Sequence, residues 1–305
     1  MSAEIVGGAA LAPPTPVTRG RGARLRQLAP FLPAALILVG FFFLPLGLML
    51  FFSFWKTDEN LDVVPALGLQ NYANFFSNPA YVRTLLKTMV MGAAVTMACL
   101  VAGFAVAYFL ARYVARHWAR LALLVIIVPF WTSYLLRVYS WQAILGEHGA
   151  LNQALMALGL ISEPSRLFVY NDVGVFIVLV YVYVPFAALV LYASLDRFDF
   201  TQLTAAQDLG ARPIQAFRHV LLPQIRPGII TACIFVFIPI LGEFLTPAMV
   251  GGAQGLLIAN LITNFFGNAL IPEGAALSFM IAAFVLVLLI VFRKYLRVED
   301  VYARG

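Results

Sequence analysis

Between Arg26 and Lys56 the chain carries no charged residue. A helix needs ~20 mostly apolar residues to cross the hydrocarbon of a bilayer, so a run of this kind commits its segment to a membrane. It is also far longer than the ~7–15 apolar residues of a secretory signal core, and no small-residue cleavage site follows it. The reading is a retained span, about 31–54. Residues 1–28, rich in Ala, Pro, Gly and Arg without periodicity, are expected to form a disordered tail ahead of it.

Comparable runs lie at about 86–111, 119–143, 173–195, 227–248 and 275–293. Over all 305 residues only 11% are charged and 62% are hydrophobic, whereas a soluble domain carries about a quarter charged residues. So few charges cannot cover a water-facing surface of this size. The basic excess of +6 is no sign of a nucleic-acid partner, because it gathers at the ends of apolar runs. Pro129, Pro185 and Pro239 fall inside three spans, where neighbouring helices can satisfy the freed carbonyls. No β-barrel alternation appears. The expected fold is an all-α polytopic membrane helical bundle with six transmembrane helices, in contact with lipid. Cys99 and Cys233 sit deep in apolar runs and read as inert buried thiols.

Lys and Arg in the connections set the direction. Arg19, Arg21, Arg24 and Arg26 precede the first span, and Arg112, Arg116 and Arg120 separate the second and third. Arg197, Arg212, Arg218 and Arg226 separate the fourth and fifth, and Arg293, Lys294, Arg297 and Arg304 follow the sixth. Of the 20 Lys and Arg, only Lys56, Arg83, Lys87, Arg137 and Arg166 fall on the opposite side. Both termini and the 197–226 connection are therefore expected in the cytoplasm. Residues 244–272 also lack charge, but Gly251, Gly252, Gly255 and Gly267 interrupt them, and Asn260, Asn264 and Asn268 form a polar stripe at helical spacing. A short re-entrant or interfacial helix on the outer side is expected there.

The cytoplasmic connection reads as helix, break, helix. Leu203, Ala206 and Leu209 recur at helical spacing, Gly210 interrupts, and Pro213 opens a second short helix ending near Val220. Leu222-Pro223 is expected to turn the chain into the next span. Ala205, Ala206 and Ala211 make one face small enough for another backbone to approach closely. On the pattern alone, an ordinary amphipathic loop fits equally well.

Ala205-Ala206-x-x-x-Gly210, followed by Phe217, Val220, Leu222-Pro223 and Pro227, resembles the "EAA" loop of permease subunits in binding-protein-dependent ABC importers. Thr204 stands where that pattern has Glu, so one acidic contact is either lost or supplied by Asp208. "PFWTSYLLRVYSWQAILGEHGALNQAL" at 129–155, in particular Arg137-x-Tyr139-x-Trp141, resembles permeases of the spermidine/putrescine type. "GLQNYANFF" at 68–76 and "GEFLTPAMVGG" at 242–252 match that type as well. The resemblance implies a type I ABC importer permease (MetI-like) fold at 29–298, with a core at about 82–295, a coupling loop at about 197–226 and a short cytoplasmic tail at 299–305. It implies a bacterial inner-membrane protein that moves a small solute, a polyamine foremost, with an opine, a sugar-phosphate or iron as alternatives. The implied partners are a cytoplasmic ATPase dimer, a second homologous permease subunit and an outer solute-binding protein. ATP and Mg would be bound by the ATPase subunits, with no cofactor in this chain.

Two groups of residues are candidates to meet the solute. Glu243 is the sole carboxylate inside an expected span, and an ionisable group there costs at least ~2.5–3.5 kcal/mol, so it faces a cavity or a partner. It either lines a route for a cation or serves structure, hydrogen-bonded in the bundle or paired with Arg137. Trp131, Tyr134, Tyr139 and Trp141 crowd the outer end of the third span, as a cation-handling vestibule or as an interfacial aromatic belt. Arg137 belongs to the same candidate pathway and would oppose a cation unless neutralised. His117, His148 and His219 are far apart, and no P-loop or nucleophile–base set is present. The chain is thus expected to be no enzyme. A secondary transporter, the reading from another class, would favour broken helices in repeated halves and more than one buried carboxylate.

Overall fold

The computed structural model describes residues 32–296. The expected tails at 1–28 and 299–305, together with Arg19, Arg21, Arg24, Arg26, Arg297 and Arg304, lie outside the described residues. The chain divides into two units, one ending at Met49 and one beginning at Leu50.

The first unit holds most of the apolar run, whose last helix ends in the second. Helix α1 (Leu32–Leu38) passes through a π turn at Val39–Phe43 into α2 (Leu44–Phe52). The π register falls just ahead of Pro45, whose missing N–H breaks the regular ladder. Among the described residues the apolar piece Leu36–Phe52 is shorter than the four long helices of the second unit.

In the second unit a two-stranded antiparallel ribbon, β1 (Lys56–Thr57) with β2 (Val63–Val64), leads to α3 (Gln70–Ser77). Asn78 caps the next helix by accepting from the Ala80 amide, and Pro79 opens it, an arrangement suited to an N-terminus. That helix, α4 (Pro79–Tyr113), is followed by α5 (Arg116–Ile127), a 3₁₀ turn at Val128–Trp131, α6 (Tyr134–Leu145) and α7 (Ala150–Ala157). Next come α8 (Asp172–Leu195), α9 (Thr201–Asp208), α10 (Pro213–Ala216), a π turn at Phe217–Leu221 and α11 (Leu222–Leu241). The order closes with α12 (Leu245–Val250), α13 (Ile258–Gly267) and α14 (Ile271–Leu296).

Among the described residues four helices are long and apolar enough to cross a membrane: Pro79–Tyr113, Asp172–Leu195, Pro213–Leu241 and Ile271–Arg293. The expected third span is a broken one. Its halves, Arg116–Trp131 and Tyr134–Ala157, meet at 91°. Pro129 and the Thr132 hydroxyl, which donates to the Pro129 carbonyl at 2.6 Å, divert the backbone there. Counted as one crossing, the pair makes five spans. The expected fifth span, 227–248, ends early at Leu241, and its last residues form the separate α12.

A second correction concerns 213–226. No turn separates a short helix from a span there, because the helix is continuous from Pro213 to Leu241. The π turn, in which the Leu222 amide bonds to the Phe217 carbonyl, absorbs the donor missing at Pro223.

Among the described residues a small cluster of Phe75, Ile258 and Leu277 joins α3, α13 and α14, and two larger buried layers hold the bundle together. One, around Val95, Cys99, Val178, Leu179, Val236 and Ile240, joins α4, α8 and α11 near the Asp172 end. The other, around Ala107, Leu191, Leu195, Leu203, Ala216 and Leu221, lies towards the α9–α10 end. Small residues set the spacing. A Cβ at Gly103 would stand 2.9 Å from the Ala187 Cβ and the Ala188 amide nitrogen, and one at Gly228 would collide with the Ser194 side chain. Close backbone approach of this kind is how membrane helices gain contact where burial from water is unavailable.

Candidate functional site

The 197–226 connection is built by caps. Asp199 Oδ1 accepts from the Thr201 hydroxyl at 2.8 Å and its amide at 3.0 Å, which starts α9. Those bonds, the hydroxyl's first, hold the Asp199 carboxyl below its usual range. At the other end of α9 the Gly210 amide bonds to the Gln207 carbonyl and the Ala211 amide to the Ala206 carbonyl, the paired closure of a Schellman motif. Gly210 has φ +91°, a region that costs a Cβ-bearing residue strain. Pro213 then opens α10, and the Gln215 side chain accepts from the Arg212 amide.

This segment faces two ways. Leu203, Ala216 and Leu221 are buried in the inner layer, and the Phe217 ring meets Phe104 edge-on at 5.7 Å. Arg116 pairs with Asp196 at 2.8 Å, and Arg112 lies over the Phe200 ring. The opposite face is open. Thr204, Ala205 and Asp208 are exposed, Ala206 and Ala211 are half-buried, and Leu222 and Pro223 are exposed at the start of α11. Leu209 is 90% exposed and Ile214 67% exposed. Leu209, grouped by spacing with the inward Leu203, instead points outwards, because α9 ends at Asp208.

At the far end of α11 the helix stops at Leu241, and Gly242, Glu243 and Phe244 lead into α12. Glu243 therefore sits at a break between helices, a correction to its expected place inside a span. Its Oε1 accepts from the amides of Leu245 and Thr246, each at 3.1 Å. Its Oε2 accepts from the Tyr134 hydroxyl at 2.8 Å and, more distantly, from the Tyr183 hydroxyl at 3.5 Å. Tyr134 also meets Thr246 Oγ1 at 2.6 Å. Asn260 ties α13 to the same break by donating to the Phe244 carbonyl at 2.7 Å. Glu243 is 9% exposed, and charge-assisted bonds from backbone donors are what make a buried carboxylate tolerable.

No ion pair joins Glu243 to Arg137. The pairs among the described residues are Lys87–Asp172, Arg116–Asp196 and Arg166–Glu147. The Arg137 guanidinium instead stands 4.6 Å from the Phe130 ring centre and 5.5 Å from that of Tyr134. The four aromatic candidates do not form one cluster. Tyr134 is committed to Glu243, and Trp141 packs on Tyr181 with ring centres 5.0 Å apart. Trp131 and Tyr139 are 89% and 55% exposed.

Sequence reasoning assigned no role to Thr246 or Tyr183, and it read Asn260 only as part of a stripe. A Thr, a Tyr and an Asn inside charge-free apolar sequence were the available signal. What was missing was the chain break that brings them to one carboxylate.

Residues 27–298 match the family described as "Binding-protein-dependent transport system inner membrane component". The chain belongs to this family. It is accordingly a multi-pass inner-membrane permease of a binding-protein-dependent ABC importer, with the helical fold expected of that class. The chain is 38% identical over 257 residues to the spermidine/putrescine transport system permease protein PotB of Escherichia coli (strain K12), covering 84% of this chain and 92% of the relative. It is 35% identical over 259 residues to PotB of Haemophilus influenzae, covering 85% and 89%. Among solved structures it resembles a crystal structure of a bacterial ABC transporter that imports the acidic polysaccharide alginate. The TM-score is 0.68 at 16% identity, over 91% of this chain and 97% of that one, a likeness of fold alone.

Proposed function

We propose that this permease is one of two membrane subunits of a polyamine importer, with spermidine or putrescine as the solute. The 38% identity to a spermidine/putrescine permease, across 84% of the chain, is the observation that carries this reading. Both termini lie in the cytoplasm, a reading supported by the gathering of Arg in one set of connections in the sequence.

The driving force comes from a separate ATPase dimer, which binds ATP and Mg. The α9–α10 segment docks on that dimer. The support is geometric: Leu209 and Ile214 project from a capped, rigid corner whose other face is locked into the bundle through Leu203, Ala216 and Phe217. Thr204, Ala205 and Ala206 line the small face of the corner, and Asp208 supplies the carboxylate absent at Thr204. ATP binding closes the dimer, moves this corner and rocks the helices between outward and inward openings. Trp131 and Tyr139, exposed on the chain, are the aromatic residues assigned to the cation's route, with Glu243 adding negative field from its anchored position.

The test is reconstitution. The tagged chain, purified in mild detergent with its partners, is placed in vesicles with the solute-binding protein and ATP. Labelled spermidine or putrescine should accumulate, and the loaded binding protein should raise ATP hydrolysis several-fold. Accumulation of a different solute class with no polyamine uptake would overturn the substrate assignment. Purification without an ATPase subunit would overturn the coupling assignment.

A further inference from the structure

A pocket of about 390 Å³ opens between α4, the α5 end, α6 and α8. Its walls are Val106, Ile126, Phe130, Val184 and Ala188, and its one charged lining residue is Arg137. The Nε of Arg137 is enclosed and has no hydrogen-bond partner. Arg137 takes no part in the ion pairs of the described residues. Glu243 already has its oxygens occupied by Leu245, Thr246, Tyr134 and Tyr183. The rings of Phe130 and Tyr134 offer the guanidinium a π face but no acceptor that neutralises it. The bundle thus carries a cation with an unmet donor in an apolar pocket, and such a group calls for an anion brought from outside the chain.

Depth identifies the source. The α8 residues that wall the pocket, Tyr181 to Ala188, lie about 14–24 Å along a helix of 1.5 Å rise from Asp172. That is the middle of a hydrocarbon layer ~30 Å thick, which corrects the placing of Arg137 in an outer connection by the charge count. A lipid phosphate belongs at the headgroup plane, whereas a carboxylate on a neighbouring transmembrane helix is held at this depth by its own backbone. A polyamine would be repelled.

We propose that Arg137 is completed by an Asp or Glu on a transmembrane helix of the second membrane subunit, which enters this pocket and forms an intermembrane-subunit ion pair. The inference rests on the two-subunit reading above. A guanidinium suits the role because its planar fork can bond a carboxylate at two points and keeps its charge at any physiological pH.

The experiment uses the full complex with the tag on this chain, and quantifies the second membrane subunit retained after purification. If wild type retains none, the two-subunit reading fails before this inference is reached. Arg137→Met leaves the partner's carboxylate buried and unpaired, so retention should fall at least 10-fold. Neutralising a single transmembrane carboxylate of the second subunit, Asp→Asn or Glu→Gln, should restore it in the Arg137→Met background. Should Arg137→Met alone not accumulate, accumulation of the double variant carries the same support, and its failure counts against the pair. Unchanged retention in Arg137→Met would overturn the proposal. So would a loss that no second-subunit neutralisation relieves, in particular one accompanied by loss of bound phosphatidylglycerol or cardiolipin in native mass spectra.

Discussion

The Tyr134 hydroxyl donates to Glu243 Oε2 at 2.8 Å, across 109 residues of sequence. The bond links the first turn of α6, just past the 91° bend, to the break between α11 and α12. Both broken elements thus share one carboxylate. Hydrogen bonds to charged groups contribute about 1.5–3 kcal/mol, so Glu243→Ala, which strands the Leu245 and Thr246 amides as well, should lower the thermal stability of the purified complex clearly. Glu243→Gln keeps an oxygen for those amides and should cost less. Tyr134→Phe should fall between wild type and Glu243→Ala. A Glu243→Ala complex melting with wild type would show that the carboxylate does not hold the break.

Gly103 sets the distance between α4 and α8, since a Cβ there would lie 2.9 Å from Ala187 and Ala188. Overpacking a fitted contact typically costs about 1–3 kcal/mol. Gly103→Val should therefore reduce the yield of folded permease in the membrane. Gly267, where a Cβ would meet nothing within 4 Å, gives the control: Gly267→Ala should accumulate normally. Fluorescence size-exclusion profiles of the two variants would separate these outcomes.

The long helices were legible because charge-free length is a signal that no loop or soluble element imitates. Their interruptions were not. Pro129 and Pro185 both lie in apolar sequence, yet one accompanies a 91° bend and the other lies inside a continuing helix. At the bend the Thr132 hydroxyl and amide both bond to the Pro129 carbonyl, a local closure that periodicity does not report. Similarly, Glu243 was visible as an anomaly, but its donors come from α6, α8 and its own following turn. At the 197–226 corner the break at Gly210 and the helix start at Pro213 were legible, because both act locally through backbone geometry. The turn expected at Leu222-Pro223 was not, because the helix runs on to Leu241. Leu209 faced the wrong way in the sequence reading for the same local reason: its helix had already ended.

The proposed sidedness rests on the Arg clusters, and accessible positions exist to test it. Gln207 and Arg212 are exposed at the α9–α10 corner, while Asn60 and Glu163 are exposed in the connections at the other end. With Cys99 and Cys233 replaced, Gln207→Cys and Arg212→Cys should resist an impermeant thiol reagent in intact cells and react after lysis. Asn60→Cys and Glu163→Cys should react in both. External labelling at Arg212→Cys would invert the proposed orientation.

The coupling corner permits a separation of folding from docking. Leu209 and Ile214 touch little of their own chain, and exposed substitutions of that kind usually change stability by less than about 0.5 kcal/mol. Leu209→Ser with Ile214→Ser should therefore leave insertion and melting unchanged while ATPase association falls on the order of 10- to 100-fold, as expected when apolar anchors at an interface centre are removed. Gly210→Val acts differently. A Cβ at Gly210 would meet nothing within 4 Å, so the cost comes from holding a β-branched residue at φ +91°, on the order of 1–3 kcal/mol. The chain can relieve it by opening the Schellman closure, which re-aims Leu209 and Ile214 relative to each other. Gly210→Ala, less restricted, should lose less coupling than Gly210→Val, and Gly210→Asn, which tolerates the left-handed region, should lose least. Pull-down of the ATPase and its stimulation by loaded binding protein give this order directly. If Gly210→Val matched wild type while the double Ser variant failed, the apolar anchors would suffice without a fixed corner. If the double Ser variant coupled normally, the docking face would lie elsewhere.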